Sequence, residues 1–87
     1  GRTALHWAAI KGNAELVAVL TRIGGNPDLK DAENGMTALH WAANRGMADA
    51  VREAVLGGAD VLQADGKGRR AADWARERKV LRQYELA

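Results

Sequence analysis

The chain has 87 residues, with 13 Lys/Arg against 11 Asp/Glu, 47% hydrophobic residues, and neither cysteine nor serine. That length allows one small domain at most, and the missing residue types exclude a disulfide framework, thiolate metal ligation and a serine nucleophile. No apolar run approaches the ~18 residues of a membrane-spanning helix, and no charged segment leading into an apolar stretch opens the chain as a secretion signal would.

The apolar residues are small. Alanine dominates, there is no Phe and only one Tyr, so closely stacked helices are expected. Charge is unevenly spread. Residues 1–65 carry six Lys/Arg against eight Asp/Glu, and residues 66–87 carry seven against three, which makes the last part a basic segment.

Thr3 opens the first predicted helix as an N-cap, because its side-chain oxygen can accept from a free amide of the first turn. The helix runs from Ala4 to about Lys11, and Gly12 stops it as a left-handed C-cap. A second helix follows from about Ala14 to Ile23, with Leu16, Val17, Val19 and Leu20 as its apolar face. Gly24-Gly25 ends it. Asn26 to Asn34 then reads as a loop that reaches a β-turn. Its carboxylates Asp28, Asp31 and Glu33 sit beside Lys30 and are expected to be solvated.

The pattern then recurs. Thr37-Ala38-Leu39-His40-Trp41-Ala42-Ala43 repeats Thr3-Ala4-Leu5-His6-Trp7-Ala8-Ala9 at a spacing of 34. Helices are predicted from Ala38 to about Arg45 and from Ala48 to Leu56, with Gly46 and Gly57-Gly58 as stops. Val51, Ala54 and Val55 form the apolar face of the second of these. Gly68, Ala72, Trp74 and Ala75 make a degraded third copy 33 residues further on. The segment Asp31 to Gly35 holds one residue more than Asp65 to Gly68, so the insertion lies in a turn, where it costs little. A unit this short cannot bury its apolar face alone; stacking on its neighbours is what folds it.

These residues resemble the ankyrin-repeat family. Its signature, T-P-L-H-x-A at a period of 33, stands here as Thr3-Ala4-Leu5-His6-Trp7-Ala8 and Thr37-Ala38-Leu39-His40-Trp41-Ala42. The end-of-repeat pattern stands as Gly58-Ala59-Asp60-Val61 and Asp65-Gly66-Lys67-Gly68. The resemblance implies an all-α solenoid of stacked helix–turn–helix units with β-turn connecting loops. One domain spans 1–87, with repeats at about 1–34, 35–67 and 68–87. Proline is replaced by Ala4 and Ala38, and the third copy has Arg70 and Asp73 for Thr and His, with Asp73 able to cap locally. Residues 68–87 read as a capping repeat with a polar outer face. The chain opens in mid-turn, so Leu5 and Leu16 are expected to face water on one side, and the array is expected to be part of a longer one.

Function follows from the resemblance. The family's His hydrogen-bonds the turn backbone, which assigns His6 and His40 a structural role. No Cys or Glu-x-x-His pattern accompanies them, so no metal, cofactor or catalytic site is expected. Trp7, Trp41 and Trp74 occupy equivalent places and should form a ladder on the first helices, either as packing alone or as packing plus recognition. The family's contact residues lie at the turn tips and on the first helices. Those positions hold Arg2, Ile10, Lys11, Met36, Trp41, Asn44, Arg45, Lys67, Arg69, Glu77 and Arg78 here, with Ile10 and Met36 apolar where solvent is expected. A non-catalytic module binding a partner protein or peptide in a concave groove is the leading reading. The alternatives are a substrate-recruiting domain of a larger enzyme, such as a palmitoyltransferase, and a structural spacer without a ligand. The basic end reads first as a solvated cap and next as a surface for an acidic partner. Nucleic acid is the least favoured, since no aromatic interleaving accompanies the charge. The expected location is intracellular, in the cytoplasm.

Overall fold

A computed structural model describes residues 2–77. It contains α1 (Ala4–Lys11), α2 (Ala14–Arg22), α3 (Ala38–Asn44), α4 (Ala48–Leu56) and α5 (Ala71–Glu77). Among the described residues there is no strand, only an isolated bridge between Ala64 and Arg70. The predicted α2 and α3 are each one residue too long, within the ordinary fraying of helix ends.

The two Thr residues start their helices as the spacing predicts. Thr3 Oγ1 accepts from His6 N, and Thr37 Oγ1 accepts from His40 N, both at 3.3 Å. The helix stop at Gly12 is also as expected: its φ is 72°, and its N–H reaches back to Ala8 O and Ala9 O. The third unit caps differently. Asp73 accepts from Arg70 N at 3.0 Å, doing locally what His does in the other two.

Helices α1, α3 and α5 stack in one row, with α2 packed on α4 in a second row. Alanines make this possible: Ala9, Ala42, Ala43, Ala50 and Ala54 are wholly buried, so the backbones approach closely. Leu39 lies at the centre at 2% exposure. Two expectations are corrected here. Leu5 does not face water; it is 4% exposed, because the chain turns back at Gly25 over its side chain. Leu16 does face water, as expected, at 41% exposure; the predicted apolar face of α2 is narrower than its composition suggests, with Val17 buried, Leu20 half-buried and Val19 exposed.

The loops are tied from repeat to repeat. Gly66 N donates to Asn34 O at 2.9 Å, and Asp60 N donates to Asp28 Oδ1 at 2.8 Å. These bonds fix one turn beside the next. The expected capping unit is described only as far as Glu77; residues 78–87 lie outside the described residues.

Candidate binding surface

The first two units each build their turn around a histidine. Thr3 N donates to His6 Nδ1 at 2.9 Å, which leaves that nitrogen unprotonated and places the ring proton on Nε2. Nε2–H then donates to Leu29 O at 2.8 Å and Met36 O at 3.0 Å, across more than twenty residues. His40 does the same with Thr37 N and Gln63 O. Both rings are buried and both of their nitrogens are used. Burial is the main influence on His40 and holds its pKa below the ordinary value, outweighing its bond to Gln63. The structural role assigned to the two histidines is what the geometry contains.

The turn itself is held by an aspartate that the sequence reading placed in a solvated loop. Asp31 is buried. Its Oδ1 accepts from Asn34 N and Met36 N, and its Oδ2 from Trp41 Nε1 at 2.7 Å. Asp65 repeats the arrangement with Lys67 N, Arg69 N and, at 2.8 Å, Trp74 Nε1. Burial acts most strongly on both carboxyls and pushes their pKa up. The donated hydrogen bonds together overcome it and leave both below the usual carboxylate value. The signal was present in the sequence: an Asp nine or ten residues before each of the last two Trp. Glu33 is exposed as expected.

The indoles of Trp41 and Trp74 are therefore fixed from behind. Arg2 joins the first two rungs. Its guanidinium carbon lies 5.2 Å from the Trp7 ring centre and 4.7 Å from that of Trp41, and its Nε is 3.4 Å from Asp31 Oδ2. Arg69 lies 4.0 Å over the Trp74 ring. Trp7 is the most open of the three, at 48% exposure.

A cleft of about 550 Å³ opens beside Trp41 and Trp74, between the turn tips. Of the predicted contact residues it gathers Met36, Trp41, Asn44, Lys67 and Arg69. Arg2 sits at the neighbouring rung. Ile10 is half-buried, while Lys11 at the end of α1 and Arg45 just past α3 are exposed and outside this cleft. Glu77 ends α5, and Arg78 lies outside the described residues. Met36 requires a correction: it is 4% exposed and not the expected apolar surface residue. Asp31 N donates to Met36 O, Met36 N donates to the Asp31 carboxylate, and His6 Nε2 also donates to the Met36 carbonyl, which draws the residue inward.

Stacked helices, with a capped Thr-Ala-Leu-His motif and a turn-binding histidine in each of the first two units, match one family along nearly the whole chain. A family model described as "Ankyrin repeats (3 copies)" covers residues 5–84. The chain belongs to the ankyrin-repeat family. No curated protein matches it as a close relative. Ankyrin repeats are generally protein–protein interaction modules and are typically non-catalytic. Among the described residues no helix is long and apolar enough to cross a membrane, and no three His, Asp or Glu side chains are grouped to hold a metal ion.

Proposed function

We propose that this ankyrin array binds a partner protein or peptide in the groove formed by its turn tips and first helices, with the Trp41–Trp74 cleft at its centre. One observation carries the reading. Two large aromatic surfaces line an open cleft, and each is locked in place by a bond to a buried carboxylate. Aromatic side chains held rigid before binding lose little entropy when a ligand arrives, so their contact area is converted efficiently into affinity. Turn-to-turn bonds such as Gly66 N to Asn34 O give the cleft walls the same rigidity.

The test is a displayed peptide library selected against the whole chain. The selected binders are then measured on two variants. Asn44→Trp fills the cleft from its half-buried wall, and Arg22→Glu alters the exposed end of α2. Binders should be lost with Asn44→Trp and kept with Arg22→Glu. The reverse pattern would place recognition on the second helices and remove the groove reading.

A further inference from the structure

Resting on the groove reading, we infer that the Trp41–Trp74 cleft selects an acidic side chain, so that the partner is a peptide segment bearing a glutamate or aspartate.

The buried acceptor is already occupied. Asp65 Oδ1 accepts from Lys67 N and Arg69 N, and Oδ2 accepts from the Trp74 indole. The cleft's other carboxylate, Glu33, stands exposed on the tip. The donors are unspent. The guanidinium of Arg69 makes no hydrogen bond to the described residues; its nearest approach is 3.9 Å, from Nε to Asp65 Oδ2. Lys67 is exposed and pairs with no carboxylate among the described residues. The side-chain amides of Asn34 and Asn44, on the same wall, likewise donate to none of them.

Arg69 is also in place beforehand. Stacking at 4.0 Å on Trp74 holds its guanidinium plane, and the nearby Asp65 steadies its Nε. A planar fork fixed in this way is suited to a carboxylate, which can take two parallel N–H bonds from it. Lys67 adds a second charge at the rim. The methylenes of an entering glutamate would lie against Trp41. Glu33 and Asp65 equal Lys67 and Arg69 in number, but the bonds made by Asp65 leave the donors of Lys67 and Arg69 unused side by side, where they can meet an anion and bear on which partner is accepted.

The probe is an acetylated dodecapeptide of alternating Glu and Leu, compared with Gln/Leu and Lys/Leu versions. Binding is read from tryptophan fluorescence, since Trp41 and Trp74 line the cleft. The Glu peptide should bind at least about tenfold tighter than the Gln peptide, and the difference should shrink as salt rises from about 0.05 M to about 0.5 M. Lys67→Ala and Arg69→Gln should each lower its affinity severalfold, and Lys67→Arg should restore it. Lys67 is exposed, so its variants keep the fold even if Arg69→Gln loosens Trp74. Equal or tighter binding of the Gln or Lys peptide, or indifference to both substitutions, overturns the acidic partner. If the Glu peptide fails while library binders remain sensitive to Asn44→Trp, the charge assignment falls and the groove stands. If library binders also ignore Asn44→Trp, both fall.

Discussion

The Trp41 indole donates to the Asp31 carboxylate at 2.7 Å, tying helix α3 to the turn that leads into it. One bond thus sets both the direction of a half-buried aromatic ring and the shape of a loop. Asp31→Ala removes the acceptor for Trp41 and for two backbone amides at once. The expected cost is about 3 kcal/mol, since the abandoned donors are partly buried. Asp31→Asn keeps one acceptor oxygen and should cost less. Urea denaturation of the two variants checks the order; equal and small losses would contradict it.

Leu39 fills the centre of the stack among alanines, which have little side chain with which to close a void. Leu39→Ala is expected to cost about 2–5 kcal/mol. For so short an array that approaches the whole stability, so circular dichroism should show a largely unfolded chain at room temperature.

Stability should also depend on pH through His40. Its pKa is lower in the folded chain than the ordinary value of about 6.5, so the unfolded chain takes up a proton first as pH falls. Stability is then fully present above about 6.5 and declines as pH drops from there toward the folded value. Asp31 and Asp65 add nothing in that window, because their lowered values place their loss below about pH 4. Melting temperatures taken from pH 8 to pH 5 should fall below 6.5. A flat profile would contradict the assignment.

Gly66 tests the contact between turns. A Cβ there would stand 2.6 Å from the backbone oxygen of Asn34, which cannot swing aside as a side chain can. Gly66→Ala should separate the turns, weaken the Gly66 N to Asn34 O bond and cost about 1–3 kcal/mol. Hydrogen exchange at Gly66 should speed up before the helices are affected; unchanged protection would refute the contact.

Helices, stops and the stacked Trp positions were legible because each depends on residues close in sequence: a Thr before an apolar run, a Gly after it, and a motif copied at fixed spacing. What the reading missed depends on distant partners. Asp31 reads as one of three loop carboxylates until the indole ten residues away is brought to it. Met36 reads as an exposed tip residue until His6, thirty residues upstream, takes its carbonyl. Leu5 reads as an open edge until the chain returns at Gly25. Of the contact residues, Trp41, Asn44, Lys67 and Arg69 do gather at one cleft, but the unspent donors of Arg69 follow from how Asp65 is satisfied, which no local pattern displays.

The turns of the second and third repeats differ by one residue, yet their aspartates grip the following tryptophans at 2.7 and 2.8 Å. The added residue is absorbed entirely at the outward end, where Ala32, Glu33 and Asn34 are exposed. The clamp thus insulates the scaffold from its own fingertips. Side chains at Ala32 and Glu33, which take no part in the bond between the turns, can be exchanged with the ring behind them unmoved, so new specificities can be tried there without renegotiating the fold.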